Sequence, residues 1–159
     1  MTEVRHASTA EDVAAARELF LEYAASLNID LCFQGFDHEV ATLPGKYAEP
    51  EGALLIAWDG STPIGCVALR ALETPAAAEL KRLYFRPEAR GRGIWKRMLL
   101  DIFDRARAAG YERIRLDTLP SMIEAQRIYR AMGFKEIGPY CPNPHPGAIY
   151  MELELGPGK

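Results

Sequence analysis

Cysteine is scarce in this chain: Cys32, Cys66 and Cys141 are widely scattered and odd in number. They have neither the spacing of a disulfide framework nor that of a zinc site, so no metal is expected. Long apolar runs are lacking too. No stretch approaches the roughly 20 residues that span a bilayer, and the opening Met1-Thr2-Glu3-Val4-Arg5-His6 has no apolar core of the signal-peptide kind. A cytoplasmic protein without a membrane partner is the expectation. Neither sign of charge dominates, since 19 Lys and Arg face 22 Asp and Glu for a net charge of −3. Bulk electrostatics therefore gives nucleic acid no attraction. Repeats and low-complexity tracts are absent as well. What is present is ordinary for a soluble fold: 159 residues, 48% hydrophobic and 26% charged. That is enough for one domain over 1–159 with a sizeable core.

Periodicity divides the chain into strands and helices. Thr2 to His6 reads as a short strand. Ser8 with Glu11 has the form of a capping box, opening a helix with Val13, Ala16, Leu19, Phe20, Tyr23 and Leu27 at helical spacing. After an irregular stretch from Asn28 to Phe36, a second short helix is predicted over Asp37 to Leu43, ended by Pro44-Gly45. Leu54 to Trp58 and Pro63 to Leu72 form a hairpin about Asp59-Gly60. Glu79 to Phe85 is the next strand, and Gly93 to Ala109 is an amphipathic helix stopped by Gly110. Arg113 to Leu119 alternates like a half-buried strand. Ser121 and Glu124 suggest another capping box, ahead of a helix that buries Met122, Ala125, Ile128, Tyr129 and Met132. Phe134 to Ile137 and Ile149 to Leu155 close the chain, separated by a loop that four prolines stiffen. The order is that of an α/β protein around a mixed sheet.

Chemistry concentrates between Leu83 and Lys96. A β-rich run, Leu83-Tyr84-Phe85, passes through Arg86-Pro87 into the basic loop Arg90-Gly91-Arg92-Gly93, which opens the amphipathic helix at Ile94-Trp95-Lys96. A helix start presents unpaired N–H groups and a positive dipole end, a ready site for phosphate. Glycines let a ligand approach the backbone, and Arg90 and Arg92 add positive charge. A dinucleotide fingerprint would need glycine where Lys96 stands, and the ending of a Walker loop is missing. A short nucleic-acid contact is the other use of such a loop, and the acidic balance argues against it.

These residues, with the block Ala125-Gln126-Arg127-Ile128-Tyr129-Arg130-Ala131-Met132-Gly133-Phe134, resemble the GCN5-related N-acetyltransferases, the GNAT family. The first matches the family's acyl-coenzyme A loop and the second its A-x-x-x-Y-x-x-x-G-F segment. The resemblance covers essentially the whole chain. It implies a mixed, mostly antiparallel sheet of six or seven strands flanked by about four helices, and transfer of acetyl from acetyl-CoA, as co-substrate, to an amine. By that resemblance Leu83, Tyr84 and Phe85 hold the pantetheine arm at a splay beside the following strand. Gly91, Arg92, Gly93, Ile94, Trp95 and Lys96, with Arg90, wrap the pyrophosphate. An N–H near Leu83 polarises the thioester carbonyl, Tyr129 protonates the departing thiolate, and Glu79 is the general base. The acceptor would be a small-molecule or peptide amine, and a homodimer would be in keeping with relatives.

Each role has a plainer rival. Tyr129 lies on an apolar helix face, where tyrosine is usually core. Glu79 would share a strand face with Lys81, Leu83 and Phe85, where an ion pair with Lys81 is the alternative. It stands roughly 13 Å along the strand from Leu83 and would need a bridging water. His38 and His145 are rival bases, while Asp30, Asp37, Glu22 and Tyr23 flank the region that shapes the acceptor site in the family. Asp117 could be either structural or functional. Two positions depart from the family pattern: Trp95 replaces a small residue, and Met122 stands where an asparagine often binds the pantetheine. They favour the alternative of a non-catalytic acyl-CoA binding or sensing module.

Overall fold

The structure, a computed structural model, describes residues 2–27, 35–141 and 145–156. Thr9 starts the first helix. Its hydroxyl accepts the Asp12 N–H at 3.1 Å, and the buried Asp12 carboxylate accepts the N–H groups of Ser8 and Thr9 at 3.0 and 3.3 Å. This reciprocal box lies one residue beyond the predicted Ser8 and Glu11 pair, because Asp12 faces the sheet where it also meets Arg5. The elements then run β1 (Thr2–His6), α1 (Ala10–Leu27), α2 (Phe36–Ala41), β2 (Ala53–Asp59), β3 (Thr62–Ala71), β4 (Ala77–Phe85), α3 (Ile94–Ala108), β5 (Arg113–Thr118), α4 (Ile123–Ala131), β6 (Lys135–Ile137) and β7 (Ile149–Glu154).

The seven strands form one sheet in the order β1-β2-β3-β4-β5-β7-β6. Every neighbouring pair is antiparallel except β4 and β5. Helices cover both faces. On one, Met98, Leu99, Ile102 and Phe103 of α3 and Tyr129 of α4 pack on Leu55, Val67, Leu80 and Leu83. On the other, Ala16, Leu19 and Phe20 of α1 and Phe36 and Val40 of α2 pack on Leu54, Ile56, Cys66 and Ala68. β2 is buried on both sides, so its sequence is continuously apolar, whereas β5 keeps the alternation expected of a half-covered strand.

Two predicted helix boundaries move. α4 begins at Ile123 with no side-chain cap, and Ser121 is exposed. Gln126 anchors the turn instead, donating its amide to the carbonyls of Leu119 at 2.8 Å and Pro120 at 3.3 Å. α2 ends at Ala41: Thr42 is its C-cap at φ −113°, its N–H and hydroxyl both donating to His38 O at 3.0 and 2.7 Å. Asp30 and Cys32 lie outside the described residues.

Candidate active site

β4 does not alternate regularly. Cys66 pairs with Tyr84 and Ala68 with Lys81, so Arg82 and Leu83 together oppose Val67 alone. Arg82 is in the left-handed region at φ 61°. Such a bulge adds one residue and reverses the facing of everything beyond it. Glu79 and Lys81 therefore share a face with Tyr84, on the α1 side, while Leu80, Leu83 and Phe85 face α3 and α4. The predicted single face of Glu79, Lys81, Leu83 and Phe85 is corrected by this bulge. A non-glycine left-handed residue costs roughly 1–2 kcal/mol, and Arg82 is held there by strong partners. Its guanidinium donates to both Glu39 oxygens at 2.8 and 3.0 Å and lies 5.1 Å from the Phe36 ring centroid.

Just where β4 bulges, it also parts from β5. The parallel ladder holds only Ala77–Arg113, Ala78–Ile114 and Glu79–Arg115. Continued by two residues it would pair Lys81 with Asp117, but the strands have separated. A cavity of about 900 Å³ opens between the end of β4 and α4, within the roughly 300–1,000 Å³ usual for ligand pockets. Leu83, Tyr84, Phe85, Arg90, Gly91 and Trp95 line one wall, and Met122, Ala125 and Ile128 the other. Tyr23 and Ser26 of α1 also line it.

The basic loop lies at the cavity's mouth. Gly93 is the N-cap of α3 at φ 69°, a conformation that favours glycine, and no side chain caps the helix. The first-turn N–H groups of α3 are thus without a side-chain acceptor and suit an anion. Arg92 leans away to Asp59 at 3.2 Å, and Arg90 donates to Phe85 O at 3.4 Å. Trp95 is half-buried, with its indole packed on the core beside the cavity instead of filling the loop. Ile94 is buried in the core and Lys96 is exposed. The arrangement fits a long ligand with a diphosphate at the loop and an apolar arm along Leu83 to Phe85.

Tyr129 is 6% exposed, its ring 5.6 Å from that of Phe134. Among the described residues its hydroxyl has no hydrogen-bond partner. Burial pushes the phenol well above its usual range, and the charges of Tyr23 and Asp117 push the same way. It stays protonated and is a donor. Tyr23, half-buried on the cavity wall, is raised to about 12, chiefly because its surroundings desolvate the charged form. Both phenols feel the charge of Asp117, which stands where β5 parts from β4.

Glu79 sits behind this point and is 2% exposed. Arg70 Nε and Nη2 both lie 2.8 Å from its Oε1, and the Tyr140 hydroxyl donates to Oε2 at 2.6 Å. Burial alone would raise this carboxyl, but Lys81, Tyr140 and Arg70 outweigh burial and hold it below the carboxylate range. Lys81 is farther off, at 3.8 Å. Glu22, on α1, accepts from Arg86 and from the Tyr84 hydroxyl, and Arg86 also reaches Glu18 at 3.0 Å. His38 is exposed on α2, away from these groups.

The structure thus gathers Leu83 to Phe85, Arg90, Gly91 and Trp95 around one cavity, with Tyr129 beneath α4 and Glu79 on the opposite face of the opening. Sequence reading misses Arg82, Arg70 and Tyr140. One signal was there for Arg82: two adjacent cations, Lys81-Arg82, inside an otherwise apolar strand cannot both occupy one face of a regular β-strand.

Known proteins agree with this geometry. A sequence model of the acetyltransferase (GNAT) family matches residues 12–134. An uncharacterized N-acetyltransferase of Schizosaccharomyces pombe is 38% identical over 146 residues, covering 91% of this chain and 90% of the relative. A GNAT-family acetyltransferase from Staphylococcus aureus superposes with a TM-score of 0.81 at 19% identity, over 98% of this chain and 99% of that one. A Salmonella typhimurium protein solved with its cofactor acetyl-CoA has a TM-score of 0.72 at 17% identity, over 97% and 94%. The chain belongs to the GNAT family and is an acetyl-CoA-dependent acetyltransferase.

Proposed function

We propose that this enzyme moves the acetyl group of acetyl-CoA to a primary amine, of a small molecule or a peptide, by direct attack while both substrates are bound. The observation that carries the reading is the opening between β4 and β5. The cavity beside it adjoins a phosphate-suited helix start, with buried Tyr129 on one face of the sheet and the Glu79 cluster on the other. Acetyl-CoA brings a thioester, an acyl group already activated toward amines. The α3 N-terminus, Arg90, Gly91 and Arg92 hold its diphosphate, and Leu83 to Phe85 run beside its arm. The backbone at Leu83, just past the bulge, donates an N–H to the thioester oxygen as negative charge builds there. Tyr129 donates a hydrogen bond to the leaving sulfur. Glu79 stays ionised and draws off the acceptor's proton, with the Tyr140 hydroxyl in the place of the bridging water the strand distance demands. Most of the acceleration comes from holding amine and thioester together.

Calorimetry with acetyl-CoA, followed by thiol release in the presence of a panel of amines, tests the reading. Micromolar binding and amine-dependent release of one thiol per acetyl transferred are expected. No binding sinks the proposal, and binding without turnover for any amine transfers it to the sensing alternative.

A further inference from the structure

At the bulge, one peptide of β4 is fixed by contacts that strand pairing does not require. Neither Arg82 nor Leu83 has a register partner of its own on β3, and the ladder with β5 has already ended at Glu79. The Arg82 carbonyl accepts the Cys66 thiol instead, with Sγ 3.3 Å away. Cys66 is wholly buried, and burial pushes its thiol well above the usual range, so the proton stays on sulfur as a donor. Cys66 lies on β3 and packs in the core on the α1 side. In a trans peptide the C=O and N–H point in opposite directions. With its carbonyl drawn toward β3 and α1, the same peptide aims the Leu83 N–H away from both, to the cavity side where Leu83 packs with α3 and α4.

The same peptide is also held through a side chain. Arg82 is left-handed at φ 61°, a conformation that an arginine does not adopt unaided. Its guanidinium forks onto Glu39 and lies over the ring of Phe36, both on α2. The pair is nearly dry, the Arg82 side chain being 2% exposed and that of Glu39 17%, and a buried fork of this kind fixes direction as well as distance. We infer that Cys66, Arg82 and Glu39 are positioning residues for acetyl transfer, which together clamp the Arg82–Leu83 peptide so that the Leu83 N–H faces the thioester oxygen. This rests on the acetyl-transfer reading above. A donor set in place beforehand needs no reorganisation as negative charge forms on that oxygen. Without the clamp, residue 82 relaxes toward negative φ, and the peptide turns its N–H from the cavity.

Arg82→Ala and Arg82→Gly remove the same ion pair and differ only in what the backbone prefers, since glycine adopts positive φ freely and alanine does not. Arg82→Ala should lower kcat by about 10- to 100-fold, the scale of a small misplacement at the reacting centre, while acetyl-CoA affinity by calorimetry stays within about twofold. Arg82→Gly should recover most of that loss. Infrared spectra of bound acetyl-CoA, isotope-labelled at the thioester carbonyl, read the hydrogen bond directly. The C=O stretch should be lowest in the wild type, rise in Arg82→Ala and fall again in Arg82→Gly. Should the position-82 variants not fold, Cys66→Ser keeps a donor to the Arg82 carbonyl and Cys66→Ala does not, so the alanine variant should show the larger loss in kcat and the higher stretch. Equal kcat within the alanine–glycine or the alanine–serine pair overturns the inference, as does a carbonyl stretch that does not move with kcat. Failure of the wild type to bind acetyl-CoA is a different result and refutes the underlying function instead.

Discussion

A phenol enclosed by apolar side chains is a poorer acid than one in water, and this decides what Tyr129 can do. With its pKa raised by burial, full transfer of its proton to a thiolate, whose conjugate acid is near 8.5 by analogy with cysteine, is uphill. Donating a hydrogen bond to the charge as it grows on sulfur is not. Tyr129→Phe removes only that oxygen and leaves the packing on Phe134 intact. It should lower kcat by about 10²-fold or more while acetyl-CoA affinity stays within about twofold. The same burial means Tyr129 does not ionise below pH 10, so any alkaline fall in rate belongs to another group. Steady-state kinetics across pH, alongside calorimetry, checks both points. An unchanged kcat removes the residue from the chemistry.

At the level of elements, local interactions were readable and those set by a partner strand were not. The glycine loop, the helix it opens and the segment around Tyr129 lie within a few residues of their own signals, and the structure places them as expected from sequence. The bulge in β4 depends on how Val67 of β3 meets Arg82 and Leu83, and period-2 counting along one strand has no access to it. The Glu79–Tyr140 contact spans 61 residues, beyond any motif. Helix starts fail for a subtler reason: Ser8 and Thr9 are both good caps, and the choice falls to whichever lets the N3 carboxylate reach back. At α1 that carboxylate is Asp12, so Thr9→Ala or Asp12→Ala should destabilise the fold by about 1 kcal/mol, whereas Ser8→Ala and Glu11→Ala should be near neutral. Urea unfolding of the four variants at pH 7 decides it, and equal losses at Ser8 and Thr9 would contradict the assignment.

For the whole molecule, the buried charges predict how stability depends on pH. Asp12, Glu22 and Glu79 all have pKa values below the ordinary carboxylate range: Asp12 because N–H donors and Arg5 outweigh its burial, Glu22 chiefly through Arg86, and Glu79 because Lys81, Tyr140 and Arg70 outweigh its burial. A group depressed in the folded state binds its proton first in the unfolded chain. Its stabilisation is complete above the unfolded value near 4 and is lost as pH falls through the lower folded value. His6 acts earlier. Its ring nitrogens are buried without hydrogen-bond partners and its pKa is lowered by burial, so the unfolded chain begins to take up that proton near pH 6.5. Stability should therefore hold steady from pH 8 to 7, ease slightly between 6.5 and 5, and fall steeply below 4. Urea midpoints measured from pH 8 to 3 would show the two stages. In Asp12→Asn the gap to wild type should be widest at pH 7 and narrow as pH falls below 4, where the unfolded wild-type chain takes up the proton first. A gap that stays constant with pH would mean that Asp12 stabilises the fold by shape and hydrogen bonding alone, and not by its charge.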